Sequence, residues 1–147
     1  MTEITEAIKA KGLISCGDQE FFFVAGNSGR WNFVGGAVEA GETPLQAFLR
    51  EADEEIENLS QHLTTPTEAP PVEGQVADHS GRLVAARWLI FRARLLVPYT
   101  ELVIPPRSEI KNKAAFTVPQ IIAQPLVAAM AKKVILQEIG KNIQPAP

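Results

Sequence analysis

The sequence predicts a mixed α/β (α+β) fold, and three observations carry that prediction. Apolar, β-branched or aromatic runs of strand length recur at 7–15, 20–25, 72–78 and 83–97, set off by turn-forming residues. Two segments, 44–58 and 125–140, instead repeat their apolar residues at helical spacing. Hydrophobic content of 46% and charged content of 21% over 147 residues suit one globular domain, 1–147, with a substantial core.

The elements follow in order along the chain. Residues 7–15 and 20–25 read as two strands around a Gly17-Asp18 turn. A polar turn at 26–30 leads into a short strand segment at 31–34. A helix over 44–58 starts with Thr43 as N-cap, Pro44 at N1 and Gln46 at N3, which together make a Thr-x-x-Gln capping box. Leu45, Phe48, Leu49, Ala52, Ile56 and Leu59 form its apolar stripe. Residues 60–71 are rich in Thr and Pro and read as a loop. The strands at 72–78 and 83–97 flank a hairpin turn at His79-Ser80-Gly81-Arg82. Residues 98–113 read as irregular, with Pro98, Pro105 and Pro106, and a short helix starts at 118–122. The closing helix, 125–140, offers Leu126, Val127, Met130, Val134 and Ile135 on one face and stops at Gly140, leaving a frayed tail.

Charge and cysteine content exclude several classes of function. A net charge of −3 argues against non-specific nucleic-acid binding. Cys16 is the single cysteine, so no intrachain disulfide can form, and it reads as a small buried residue. No apolar run reaches membrane-spanning length and the N-terminus lacks a signal-peptide pattern, so the expectation is a cytoplasmic protein without a membrane partner.

The most informative stretch is GGAVEAGETPLQAFLREADEE, residues 35–55. Helical geometry makes neighbours of Glu51, Glu54 and Glu55. At about 100° per residue, their face lies roughly 115° around the axis from the apolar stripe. One face therefore enters the core while the acidic face borders solvent or a cleft. Three carboxylates this close repel one another unless a cation joins them, and Mg²⁺ in such sites also takes water and substrate phosphate. Arg50, four residues before Glu54 and next to Glu51, can steady a carboxylate without occupying a metal position. The competing reading is a solvated acidic helix face. Against it, Gly36, Glu42, Arg50, Glu51, Glu54 and Glu55 hold six fixed positions, a chance match on the order of 10⁻⁷ per window.

This pattern resembles the Nudix box, with Gly36 at its first Gly, Glu42 at its first Glu, and Arg50-Glu51-Ala52-x-Glu54-Glu55 at its acidic core. Trp31-Asn32-Phe33-Val34-Gly35-Gly36 resembles the strand that enters the box, with Val34 where the family usually has Pro. Glu57 and Asn58 stand where the box ends in Gly and an aliphatic residue, which alters how the helix ends and removes no expected ligand. The box spans 36–58, and the order of strands and helices around it is similar across most of the chain.

The resemblance implies a Nudix-like α/β/α sandwich, with a mixed sheet and a strand-loop-helix catalytic unit. It also implies a hydrolase of the pyrophosphatase type, using Mg²⁺ or Mn²⁺ on a small nucleotide-type diphosphate, and it allows a homodimer. Glu51, Glu54 and Glu55 are the expected metal ligands, joined by the backbone carbonyl of Gly35; Gly36 and Glu42 support them. The candidate catalytic set is Arg50, Glu51, Glu54 and Glu109, with the general base either Glu51 or Glu109. For Glu109 an ordinary exposed loop carboxylate is an equal alternative. Arg30, Arg87, Arg92, Arg94 and Lys11 are weaker candidates for substrate contact, while Trp31, Phe33 and Trp88 read as core aromatics with base stacking as the alternative. His62 and His79 match no metal motif and read as loop residues. Segments 60–71 and 98–113 are the expected specificity elements. The rival function is a weak or inactive Nudix-like module that senses nucleotides or binds a protein.

Overall fold

The computed structural model describes residues 6–17, 19–78 and 80–142. The chain folds around β1 (Glu6–Ser15), which runs parallel to β6 (Leu83–Arg94) and antiparallel to β2 (Glu20–Ala25) and β4 (Gly35–Ala37). The sheet reads β3-β2-β1-β6-β5, where β3 is Trp31–Asn32 and β5 is Thr67–Ala77. β4 pairs with β1 off that path, and β7 (Asn112–Thr117) pairs with β2. The sheet is therefore mixed, as expected from the resemblance.

Alternation along the strands divides the core between the two faces. Ala10, Ile14, Phe22 and Val24 face α1 (Pro44–Glu55), whose Ala47, Phe48 and Ala52 are buried against them. The Phe48 ring stacks on Phe91 at 5.5 Å. Burying one such side chain stabilises the fold by roughly 1.5–3 kcal/mol. Leu13, Phe23, Trp88 and Ile90 face the other way, against Ile121 of α2 (Val118–Ala123) and Met130, Val134 and Ile135 of α3 (Ala129–Asn142). Helices thus cover both faces, giving the α/β/α sandwich.

The capping box of α1 is formed as the sequence predicts: Gln46 N–H donates to Thr43 Oγ1 at 3.1 Å, and Thr43 N–H to Gln46 Oε1 at 2.9 Å. A second box, Thr117 with Gln120, starts α2. The end of α1 differs from the expected 58. The helix stops at Glu55, and Ile56 is an extended cap. The left-handed residue of this turn is Asn58, at φ 55°, a conformation Asn tolerates better than most side chains. Asp53 holds the turn by accepting from the backbone and hydroxyl of Ser60 at 2.8 and 2.7 Å. The substituted box end therefore closes with a different residue and a side-chain clamp.

Other boundaries move for identifiable reasons. The expected loop at 60–71 contains a 3-10 turn, Leu59–His62, and the first residues of β5, whose Pro70-Pro71 fall at a register shift between Ala69 and Val72. Proline is tolerated at such a bulge. The predicted segment 31–34 is replaced by β3 and β4, with Phe33 and Val34 between them. Residues 98–113 hold a second 3-10 turn, Tyr99–Glu101, and the start of β7. β6 ends at Arg94 rather than 97. The closing helix begins at Ala129 and continues through Gly140, leaving Leu126 exposed before it. Leu45, assigned to the apolar stripe, is also exposed. The β5–β6 turn is organised by Asp78, which accepts from the backbones of Ser80 and Arg82. Asp18, His79 and tail residues 143–147 lie outside the described residues. Cys16 is buried as expected.

Candidate active site

The acidic face of α1 meets the loop before it through one guanidinium. Arg50 Nε donates to Glu42 Oε2 at 2.7 Å and its Nη2 to Glu42 Oε1 at 3.0 Å, a bidentate pair. Nη1 donates to Glu51 at 2.9 Å and to Glu54 at 3.3 Å, and Nη2 reaches the Ala37 carbonyl at 3.1 Å. Arg50 thus joins β4, the box loop and two of the helix carboxylates. Its hydrogen bond to Glu42 also holds that carboxyl below the ordinary range.

The Gly pair brings the strand against the helix. Gly35 has φ 136°, and a Cβ there would sit 2.1 Å from the Ala10 carbonyl oxygen, so only glycine fits. At Gly36 a Cβ would come 2.6 Å from the Glu51 carboxyl carbon. Glu55 turns inward, where its Oε1 accepts the Gly35 N–H at 2.7 Å. Burial raises the Glu55 carboxyl well above the usual carboxylate range, opposed by that hydrogen bond and by the nearby Lys11 charge.

Lys11 is the buried cation of this region, at 5% exposure. Its Nζ donates to the carbonyls of Phe33 at 3.2 Å and Gly35 at 3.4 Å, and it lies 5.1 Å from the centroid of the Trp88 ring. Burial lowers its pKa below the ordinary lysine range, with the Glu55 and Glu51 charges pulling the other way. In the sequence Lys11 stands out only as one possible substrate contact. Its alternation with Ala10 on β1 was the available signal for a side chain aimed at the α3 face.

The far wall of the site comes from the segment after β6. Ser108 Oγ donates to the Glu55 carbonyl at 2.9 Å and accepts from the Ile110 N–H at 3.0 Å. This buried hydroxyl pins the loop to the end of α1 and sets Glu109 and Arg107 beside the helix. Glu109 is close enough to Glu55 for their charges to interact. Neither Ser108 nor Arg107 was singled out from the sequence, because their value depends on a contact 53 residues away.

Together these walls enclose a cleft of about 580 Å³ lined by Glu51, Asp53, Glu54, Glu55, Arg107 and Glu109 among others. Among the described residues, no three His, Cys, Asp or Glu side chains converge tightly enough to chelate one ion as they stand. Glu51 and Glu54 turn to Arg50, and Glu55 turns to Gly35. The donor chemistry suits a hard divalent cation, since every candidate ligand is oxygen. The Glu54 side chain is 59% exposed, and a single 3.3 Å contact to Arg50 holds it.

The weaker candidates lie elsewhere. Arg92 pairs with Glu138 of α3 through two hydrogen bonds of 3.0 Å, and Arg87 pairs with Glu73 across the hairpin at 3.9 Å. Arg94 is exposed on β6. Phe33 and Trp88 are buried in the core, and Trp31 packs edge-on to Phe116 at 5.2 Å. His62 ends the first 3-10 turn. Of the two expected specificity segments, 98–113 supplies the far wall of the acidic cleft through residues 105–109.

The fold matches known proteins. The NUDIX domain family matches residues 12–138. A MutT protein from Methanosarcina mazei Go1 superposes with a TM-score of 0.76 at 16% identity, covering 98% of this chain and 100% of that one. The dihydroneopterin triphosphate pyrophosphohydrolase of E. coli gives 0.70 at 20% identity, covering 91% and 95%. An Ap4A hydrolase from C. elegans gives 0.70 at 16% identity, covering 92% and 97%. A sequence comparison with curated proteins gives no match. No helix among the described residues is long and apolar enough to cross a membrane.

Proposed function

Since the chain belongs to the Nudix hydrolase family, we propose that it cleaves a phosphoanhydride in a nucleoside diphosphate linked to another moiety, using Mg²⁺ or Mn²⁺. The observation that carries this reading is that Glu51, Glu54, Glu55 and Glu109 line one cleft beside the Gly35-Gly36 turn. Two structural neighbours are a dihydroneopterin triphosphate pyrophosphohydrolase and an Ap4A hydrolase, which supports a nucleotide-type phosphoanhydride as substrate.

Glu51, Glu54 and Glu55, with the Gly35 carbonyl, would hold the metal. When bound, it supplies charge neutralisation for the diphosphate and a more acidic water. The chain's own groups do the rest. Arg50 holds Glu51 and Glu54 through its Nη1 and ties them to Glu42. Glu51 or Glu109 accepts the proton of the attacking water. Water oxygen joins phosphorus, the bridging P–O bond breaks, and its electron pair leaves with the departing phosphate. Arg107 also lines the cleft, and its positive charge would offset the charge that accumulates there. A cytoplasmic location and a homodimer belong to the same proposal; light scattering reads the latter.

The test is a metal-supplemented screen of nucleoside triphosphates, nucleotide sugars, ADP-ribose and dinucleotides, with products identified after reaction in H₂¹⁸O. Label should enter a phosphate product, and Glu54→Gln should abolish turnover. Unchanged metal-dependent hydrolysis in Glu54→Gln would sink the site assignment.

A further inference from the structure

We propose that the buried Lys11 ammonium is a built-in counter-cation of the metal site, which offsets the charge of Glu55 and Glu51 and thereby weakens the hold of these carboxylates on a divalent ion. The proposal rests on reading the α1 carboxylates as metal ligands.

Lys11 on β1 stands opposite Gly35 of β4 in the strand register. Both charged groups of this region meet at that glycine. Its N–H donates to Glu55 Oε1 at 2.7 Å, and its carbonyl accepts from Lys11 Nζ at 3.4 Å. The other acceptor of Nζ is the Phe33 carbonyl at 3.2 Å, and the centroid of the Trp88 ring lies 5.1 Å away. Among the described residues Lys11 forms no ion pair. It acts on Glu55 and Glu51 through its field, and Lys9 adds a like charge nearby. Arg50 is bonded to Glu51 and Glu54, so Glu55 is the helix carboxylate whose charge is left to Lys11.

Burying an ammonium is costly, and an apolar side chain would fill the same place against Trp88 without that cost. What the ammonium adds is charge. A carbonyl oxygen has two lone pairs, so the Gly35 oxygen can accept from Lys11 and still face a metal ion. An ion there, at the roughly 2 Å metal–oxygen distance, would be a close neighbour of the ammonium. Lys11 is only 5% exposed, and like charges close together in a poorly solvated place repel far more than they do in water. The ammonium therefore lowers the affinity for the ion below what the carboxylates alone would give.

Mn²⁺ titrations at pH 7, with the free ion followed by electron paramagnetic resonance, compare the wild type with Lys11→Gln and Lys11→Met. Glutamine keeps N–H donors for the two carbonyls and removes the charge, whereas methionine removes both. Each variant should bind Mn²⁺ about tenfold tighter or better, as expected when a like charge is deleted close to the ion. Lys11→Gln decides, and Lys11→Met replaces it should the glutamine variant not fold. Unchanged or weaker binding would overturn the proposal, and the weaker outcome would make Lys11 a support of the Gly35 carbonyl. Failure of both variants to fold would overturn it too, by making the ammonium a requirement of the fold. Adding Glu54→Gln to the deciding variant should release the ion; a tightening that survives this change lies elsewhere and would also overturn it. Tighter binding without hydrolysis of any substrate in the panel would keep the proposal and sink the hydrolytic reading. Hydrolysis by the wild type, with unchanged Mn²⁺ affinity in the variant, would do the reverse.

Discussion

Glu55 Oε1 accepts the backbone N–H of Gly35 at 2.7 Å, so the last residue of α1 is tied to the first residue of β4. The bond joins two parts of the site through a carboxyl that burial makes reluctant to ionise. Glu55→Gln keeps an acceptor oxygen and removes that cost. It should change stability by no more than about 1 kcal/mol, in either direction. The same variant should lose the Mg²⁺-dependent rise in melting temperature that a native-state metal site predicts. Thermal melts with and without Mg²⁺ check both halves, and an undiminished metal shift would remove Glu55 from the ligand set.

The Gly pair should separate stability from activity. Gly35→Ala drives a Cβ into the Ala10 carbonyl and forces an alanine to φ 136°, so it should cost at least about 1–3 kcal/mol in urea unfolding. At Gly36 the obstructing group is the Glu51 carboxylate, a side chain that can swing away. Gly36→Ala should therefore unfold near the wild-type midpoint yet hydrolyse substrate more slowly. Equal loss of stability in the two variants would contradict this division.

Arg50 is a fork, and lysine is a point charge. Arg50→Lys preserves the charge but cannot hold both Glu42 oxygens while also reaching Glu51. Activity should fall roughly 10–100-fold, the usual effect of losing a group that orients metal ligands. Glu42→Gln should fall in the same direction. Steady-state rates at saturating Mg²⁺ decide this; full activity in Arg50→Lys would show that charge alone suffices.

Cys16 gives a pH-dependent prediction away from the site. Burial, with a smaller contribution from Glu20, pushes its thiol up to about 11 from 9.0. The raised folded-state value means the unfolded chain loses this proton first as pH rises. The thiol's contribution to stability is therefore present below pH 9 and lost progressively between 9 and 11. Native protein should resist iodoacetamide at pH 8, while urea-unfolded protein reacts fully. Cys16→Ser should flatten the pH 9–11 part of the unfolding curve. Rapid alkylation of the native protein would show the thiol to be accessible.

Local chemistry made part of this protein legible without its structure. The Thr43-Pro44-Gln46 cap, the helical stripe of α1 and the six box positions act within a few turns of chain, so composition and spacing alone placed the acidic helix. Elements that exist through a partner were not legible. β7 has no alternating apolar pattern and is a strand because β2 supplies its hydrogen bonds. The first residues of β5 look like a Pro-rich loop but pair with β6 up to a bulge. The same division holds in the site. Sequence alone put Glu51, Glu54 and Glu55 on one helix face. Only the tertiary structure turned Glu55 inward to Gly35, buried the Lys11 ammonium between Gly35 and Trp88, and used Ser108 to bring Glu109 to the cleft. The physical reason is range: helix caps and i, i+4 neighbours are set by the backbone, whereas burial and charge compensation depend on what another segment brings.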